Sequence, residues 1–244
     1  MAKNKNNQAI WSTRVKSKTS SLFQKVGNSI DIDKRLYKED IMGSIAHVEM
    51  LFKQNIISYK IKNKIIYGLN KIDKEISKKK FEFNKKFEDI HMNIEKRLFQ
   101  LIGEEAGYVH TGRSRNDQVI TDFKIWIKSS TKKINIEIDK IIKRTLKLAE
   151  KNIYTIMPGF THLKNAQAIS FAHYLMAYVE MFNRDKKRFL NNLDNLNENP
   201  LGAAALTGTS FNIDRNYTTK KLGFKKPTNN SIDTVSDRDF VLDF

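Results

Sequence analysis

The stretch VITDFKIWIKSSTKKINIEIDKIIKRTLKLAEKNI, residues 119–153, decides the fold because it contains neither Gly nor Pro. Apolar side chains recur along it at helical spacing, among them Phe123, Ile127, Ile134 and Ile138. This spacing is typical of an amphipathic helix. At a rise of 1.5 Å per residue, the predicted helix is about 50 Å long.

A second long helical pattern covers residues 166–196, with apolar positions that include Met176, Val179 and Phe182. Two antiparallel helices of this length, joined by a short connection, do not bury their own apolar faces. The pattern therefore predicts a helical bundle that other chains complete. The alternative is a solvent-exposed coiled coil, which the polar connection between the helices disfavours.

Shorter helical patterns precede the polar run that leads into the first long helix. They cover residues 36–52, 59–77 and 89–102, after an irregular polar arm at residues 1–34. We therefore expect an all-α chain. Its predicted parts are an N-terminal arm with a small helical domain (residues 1–112) and an incomplete central domain of long bundle helices (residues 113–244).

The last part of the chain combines an irregular segment with a new helical pattern. Residues 202–210 are small, glycine-containing and rich in hydroxyl groups, so they either let the backbone approach a ligand or turn a tight corner. Residues 231–244 predict a helix capped by Ser231 or Asp233. Because this pattern runs to the last residue without a stop signal, we expect the sequence to be truncated.

The composition restricts the class of protein. A net charge of +17 raises the possibility of nucleic-acid binding. However, the lysines are spread along the chain, and the densest basic stretch, residues 78–87, fits a solvated helix face better than a single-strand binding surface. The chain has no cysteine, and no apolar run approaches the roughly 20 residues of a membrane span. We expect a cytoplasmic protein without membrane contact.

A polar run, HTGRSRNDQ at residues 110–118, contains no aliphatic or aromatic residue of the kind that forms a core. Buried polar groups are costly unless they are paired, so such a run normally faces solvent or a ligand. Its two arginines, with neighbouring hydroxyl and amide donors, suit a polycarboxylate. The alternative is a polar loop that connects two helices.

A second polar cluster, MPGFTHLKNAQ at residues 157–167, lies between the long helices. Pro158 and Gly159 predict a turn, with Thr161 and His162 at its exit directly before a helix. A histidine in such a place suits general acid–base catalysis. The alternative is a histidine that only packs or makes a local hydrogen bond.

Three blocks together resemble the argininosuccinate lyases, a family within the aspartase/fumarase superfamily. They are HTGRSRNDQ (residues 110–118), PGFTHLKNAQ (158–167) and SDRDF (236–240). The first block is specific to this family, whereas relatives such as adenylosuccinate lyase share the second. The resemblance implies cleavage of argininosuccinate to arginine and fumarate without a metal or an organic cofactor. It also implies a homotetramer in which each site takes loops from three subunits.

The resemblance also implies roles for individual residues. His162 corresponds to the catalytic acid–base histidine of the family, and Arg238 would face the site from the last helix. The implied substrate-binding residues are Ser29, Asp33 and Asp89 around the arginine half, Ser114, Arg115 and Asn116 around the succinyl half, and Thr161 as a donor to a carboxylate.

Two departures from the family pattern limit what we expect of this chain. The N-terminal WGGRF of the family is WSTRV here, at residues 11–15. The serine-bearing GSSxMP loop is absent, so we expect the chain alone to be inactive and to self-associate, unless a separate chain supplies the missing part. The alternatives are another lyase of the superfamily, such as adenylosuccinate lyase, and a non-catalytic structural or regulatory homologue.

Overall fold

The computed structural model describes Leu22 and residues 26–244. The segment WSTRV at residues 11–15 therefore lies outside the described residues. The described chain forms two compact units. The first contains the described part of Met1–Ile125 together with Glu198–Asp237, and the second contains Trp126–Asn197 and Arg238–Phe244. The domain boundary expected between residues 112 and 113 stays a prediction.

The first unit is helical. Its elements up to the polar run are α1 (Ile30–Asp33), a 3-10 turn (Lys34–Leu36), α2 (Tyr37–Lys53), α3 (Tyr59–Ser77), α4 (Ile90–Ile102) and a 3-10 segment (Gly103–His110). The three shorter helices predicted from periodicity are thus present, with bounds that shift by at most one residue. Side-chain caps explain two of the starts, because Ser58 accepts from the backbone N–H of Ile61 and Asp89 from that of Met92.

The core of the first unit lies between α2, α3 and α4. It is formed by apolar side chains at helical spacing, including Val48, Leu51, Ile65, Leu69, Ile94 and Leu98. Each fully buried side chain of this size contributes about 1.5–3 kcal/mol relative to its exposed state. Gly68 lies directly against Leu98, and any Cβ at position 68 would overlap that side chain.

The long helix predicted first is α5 (Arg115–Glu150). It starts inside the polar run and continues from the first unit into the second, where α6 (Phe171–Asn195) is the other long helix. Between α5 and α6, the structure has a hairpin where the sequence predicted only a short connection. Residues Ile156–Thr161 and Lys164–Ser170 form an antiparallel hairpin, β1 and β2.

The hairpin changes two local predictions. Pro158 and Gly159 lie within β1, where the register is irregular, and the turn is instead made by His162 and Leu163. Both turn residues have positive φ, 47° and 62°, as a tight two-residue hairpin loop requires. His162 is therefore not at a helix start, because α6 begins only after Ser170, whose Oγ accepts from the N–H of His173.

The remaining elements are short: β3 (Glu198–Asn199), α7 (Arg215–Leu222), β4 (Lys226–Pro227), α8 (Ser231–Ser236) and α9 (Asp239–Asp243). The single helix predicted over residues 231–244 is wrong, because Asp237 adopts an extended conformation (ψ 129°) and separates α8 from α9. The cap of α8 is Asn230 rather than Ser231 or Asp233.

The fold class is confirmed: the described chain is predominantly helical and has only small strand pieces. None of the helices in the described part of the chain has the length and apolar character needed to cross a membrane.

Candidate active site

The N-terminus of α5 is anchored by Asp117, which is completely buried. One carboxylate oxygen accepts from the backbone N–H of Ser114 at 2.9 Å, so Asp117 closes the first turn of the helix. The other oxygen accepts from the N–H groups of Gly202 and Ala204, both at 2.9 Å. One side chain thus fixes the polar run to the small-residue loop at residues 202–210.

Ser114 and Asn116 help to hold the same region. The hydroxyl of Ser114 accepts from the N–H of Asn116 at 3.2 Å, and the Asn116 side-chain amide donates to the carbonyl of Ala205 at 2.9 Å. Both residues belong to the first unit, at the surface next to the loop.

The guanidinium of Arg115 is held by three acceptors. Its Nε lies 3.3 Å from Oδ2 of Asp89, and its Nη1 donates to Oε1 of Glu95 at 3.0 Å and to Oε1 of Gln118 at 2.6 Å. Burial of Arg115 disfavours its charge, but Glu95 and Asp89 outweigh that effect and raise the pKa of Arg115. Arg115 is therefore a charged group held in a fixed orientation.

Ser29 and Asp33 lie next to the N-terminal end of α4. The Ser29 hydroxyl donates to Oδ2 of Asp33 at 2.5 Å, and Oδ1 of Asp33 accepts from the N–H of Ile90 at 3.1 Å. Partial burial raises the pKa of Asp33. Asp89 caps α4 next to this point, so four of the predicted site residues, Ser29, Asp33, Asp89 and Arg115, come together around the start of α4.

Acidic side chains outnumber the guanidinium of Arg115 around the start of α4. Two carboxylates, those of Asp89 and Glu95, pair with the guanidinium of Arg115, and a third carboxyl group, that of Asp33, accepts from the N–H of Ile90 beside Asp89. Such an excess of acid favours a cationic partner. This cluster, defined by Ser29, Asp33, Asp89, Glu95 and Arg115, is called the acidic cluster below.

The other predicted site residues belong to the second unit. Thr161 is the last residue of β1 and His162 the first residue of the turn, and both are exposed. Arg238 is exposed at the N-terminal end of α9.

A separate buried cluster could supply metal ligands. Asp40, His91 and Asp122 are the one group of three within the described ranges whose ligand atoms lie within 4.8 Å of one another. However, Oδ1 of Asp40 already accepts from Nδ1 of His91 at 3.0 Å and from the amide of Gln118. The positive charge of Arg113 also acts on both carboxyl groups. This donor set suits internal hydrogen bonding better than a divalent cation, and the expectation of a cofactor-free site stays a prediction.

Comparison with known proteins identifies the family. A protein-family model described as "Lyase" matches residues 13–244, which is most of the chain. The chain belongs to this lyase family.

Curated argininosuccinate lyases are among the relatives of this chain. The chain is 80% identical to that of Pelagibacter ubique and 51% identical to that of Chelativorans sp., in both cases over its whole length. It covers 53% and 52% of these two proteins, so it spans about half the length of the curated relatives that it matches.

Solved structures share the fold of this chain. An EDDS lyase variant with bound fumarate superimposes with a TM-score of 0.79 at 27% identity, over 90% of this chain and 43% of the other. A class II fumarase from Schistosoma mansoni gives a TM-score of 0.67 at 16% identity, over 85% of this chain and 51% of the other. The second likeness concerns the fold alone.

Sequence reasoning missed two residues that hold predicted site residues in place. Asp117 was part of the quoted polar run, but nothing in the run distinguished a buried anchor from a ligand-facing carboxylate. Glu95 lies within α4 and is not three or four residues from Asp89, so no helical spacing links the two side chains. Its pairing with Arg115 joins α4 to the first residue of α5.

Proposed function

We propose that this chain supplies part of the active site of an argininosuccinate lyase, which cleaves argininosuccinate to arginine and fumarate by anti-elimination. The proposal is supported by the 80% identity to a curated argininosuccinate lyase over the whole chain. It is also supported by the polar run HTGRSRNDQ, whose donors suit a dicarboxylate.

The acidic cluster is the observation that carries the proposal. It holds three carboxyl groups, and two of them, those of Asp89 and Glu95, pair with its one guanidinium, so acidic groups outnumber the guanidinium. A planar guanidinium, which the arginine half of the substrate carries, pairs well with carboxylates in fork geometry. We therefore assign Ser29, Asp33 and Asp89 to the arginine half.

The succinyl half needs donors for its carboxylates and for the charge that develops when the proton leaves the carbon. We assign these contacts to Ser114, Arg115 and Asn116 at the start of α5, and to Thr161 and Arg238 from the second unit. His162 takes the acid–base role. Its exposed place at the turn of the hairpin supports this assignment, because an exposed imidazole is accessible to a substrate.

We infer that several copies of the chain assemble to complete the site, as a homotetramer. The second unit leaves many apolar side chains uncovered, which supports an assembly that buries them. Examples are Ile136, Leu148, Tyr154, Tyr174, Tyr178 and Met181. A separate polypeptide that provides the rest of the lyase remains part of this proposal, as does a cytoplasmic location, which cell fractionation tests.

The proposal is tested with a chimera in which this chain replaces the equivalent part of the Pelagibacter ubique argininosuccinate lyase. We expect the purified chimera to form fumarate from argininosuccinate, measured by ultraviolet absorbance, and not from adenylosuccinate. A folded, monodisperse chimera that leaves argininosuccinate intact would contradict the proposal. Turnover of adenylosuccinate would instead favour another lyase of the superfamily.

A further inference from the structure

Glu95 occupies a central position in the acidic cluster. It lies on α4, and 24% of its side-chain surface is exposed. Its Oε1 accepts from Nη1 of Arg115 at 3.0 Å and lies 3.6 Å from Nδ1 of His110. Glu95 therefore contacts two side chains of the polar run at once.

The charge of Glu95 is secured by these neighbours. Burial alone would raise the pKa of its carboxyl group, but the His110 and Arg115 contacts lower the pKa to about 2. Glu95 is thus a carboxylate at any pH at which an enzyme of this class works. A charge-assisted hydrogen bond to Arg115 is roughly twice as strong as a neutral one.

The other acceptors around Arg115 cannot replace Glu95. Asp89 contacts Nε of Arg115 through its Oδ2, and its Oδ1 accepts from the N–H of Met92. Gln118 is neutral, and its amide nitrogen is bound to Asp40. Glu95 is therefore the carboxylate that fixes the Nη1 end of the guanidinium.

The third nitrogen of the Arg115 guanidinium, Nη2, differs from the other two. It is buried and makes no hydrogen bond to any described residue. A buried donor of this kind is costly unless it finds an acceptor. With Nε and Nη1 held by Asp89 and Glu95, Nη2 is the nitrogen that remains for an acceptor from outside the described chain.

We propose that Glu95 is a positioning residue: it fixes the guanidinium of Arg115 so that Nη2 meets a carboxylate of the substrate. This inference rests on the proposed function and adds a residue to it. Without the charge of Glu95, the guanidinium of Arg115 rotates more easily about its Nε–Cζ bond. The substrate carboxylate must then select one of several orientations of the guanidinium.

The kinetic test uses the chimera with Glu95→Gln, which keeps the shape of the side chain and removes its charge. We expect KM for argininosuccinate to rise about tenfold, with kcat changed less than about threefold, because the lost interaction orients a binding group. Glu95→Asp restores the charge at shorter reach and should give an intermediate KM. Glu75→Gln is the matched control.

The control removes a comparable ion pair outside the acidic cluster. Glu75 binds Arg97 in a two-point contact of 2.8 and 2.7 Å between α3 and α4. Its substitution should leave KM unchanged. A general effect of losing a Glu–Arg pair would appear in both variants, whereas positioning of Arg115 appears in one.

Dependence on Arg115 is tested in an Arg115→Lys background, where Glu95→Gln should change KM less than about twofold. A second readout uses this chain without substrate. Nitrogen-15 NMR should show slow rotation of the Arg115 guanidinium, and Glu95→Gln should make it fast. This spectrum also decides the outcome for any variant whose assembly is impaired.

The outcomes separate the two proposals. If the unsubstituted chimera does not cleave argininosuccinate, the proposed function is contradicted. If it is active, but Glu95→Gln matches Glu75→Gln in KM and leaves the guanidinium rotation unchanged, only the role of Glu95 is overturned. An equal effect of Glu95→Gln with and without Arg115 overturns it as well.

Discussion

Asp40 and Asp122 face the same imidazole, that of His91, inside the first unit. Each carboxyl group is about 1% exposed, and His91 Nδ1 lies 3.0 Å from Asp40 and 3.5 Å from Asp122. Burial and the neighbouring Asp40 raise the pKa of Asp122 well above its usual value of 3.8. Although burial works against its charge, His91 and Arg113 hold the pKa of Asp40 below its usual range. The pair therefore keeps one proton, and Asp122 carries it.

This assignment predicts unequal effects of substitution. Asp122→Asn, a neutral isostere of the protonated acid, should not lower the free energy of unfolding at neutral pH by more than about 1 kcal/mol. Asp40→Ala leaves the donors of His91 and Gln118 without their acceptor and should cost about 3 kcal/mol or more. Urea unfolding followed by circular dichroism measures both. Equal losses would contradict the assignment.

The sign of the pH dependence follows from the raised pKa of Asp122. The unfolded chain releases this proton near pH 3.8, whereas the folded chain retains it. The stabilisation from the proton is complete below that pH and is lost as the pH rises towards the folded pKa. The unsubstituted chain should therefore lose stability relative to Asp122→Asn over this interval.

His47 makes the opposite contribution. It is fully buried, its Nε2 donates to the carbonyl of Thr111 at 2.8 Å, and burial together with Arg113 lowers its pKa from 6.5 to about 3. Below pH 6.5 the unfolded chain binds a proton that the folded chain does not bind. The free energy of unfolding should fall by about 1.4 kcal/mol per pH unit from this group as the pH drops towards 3.

The variant that tests this is His47→Gln, whose amide can donate to Thr111 but does not titrate. We expect its unfolding free energy to depend less on pH than that of the unsubstituted chain between about pH 6 and pH 4. Parallel curves for the two chains would show that His47 is not the source of the acid sensitivity.

At the scale of single residues, the sequence predicts which side chains are polar but not which of them pair with each other. The run at residues 110–118 contains Arg113 and Arg115, which look alike in the sequence. In the fold, Arg113 contacts Ser44 in the buried interior, whereas Arg115 contacts Asp89 and Glu95. Which arginine meets which acid depends on helix packing over tens of residues, and that information is absent from a local pattern.

Among the elements, the helices were the predictable part. Residues 119–153 lack Gly and Pro and repeat apolar residues at helical spacing, which explains why α5 matches the prediction closely. The hairpin of β1 and β2 was missed because its strands carry Pro158, Gly159 and a register irregularity, which hide a strand pattern. Because β2 extends to Ser170, α6 begins only at Phe171.

The loop at residues 202–210 can be tested through its two glycines. Both need positive φ, 98° at Gly202 and 80° at Gly208. A Cβ at position 202 would lie 2.7 Å from Cγ of Arg215, whereas one at position 208 meets nothing within 4 Å.

The two glycines therefore form a matched pair of substitutions. Gly208→Ala should cost about 1 kcal/mol from the backbone alone, and Gly202→Ala about 3 kcal/mol because packing against Arg215 is added. Thermal unfolding of the two variants decides this. A larger loss at position 208 than at position 202 would show that the described loop packing is wrong.

On the scale of the whole molecule, the proposed assembly rests on the second unit. Its long helices leave apolar residues uncovered, and its exposed hairpin carries Thr161 and His162. The sequence indicated this surplus, because two long amphipathic helices cannot bury each other fully. The arrangement of the proposed assembly could not be predicted from the sequence, since it depends on contacts between surfaces that are far apart in the chain.

The account depends on the acidic cluster and the His162 hairpin acting in one site that forms between copies. The most direct measurement mixes two chimeras, one with His162→Asn and one with Arg115→Met, each inactive alone, and unfolds and refolds them together. Fumarate formation from argininosuccinate should exceed the sum of the separate activities, because some sites in the mixed assembly receive both native residues. Mixed assemblies that form, as native mass spectrometry would show, yet stay at that sum would contradict the account.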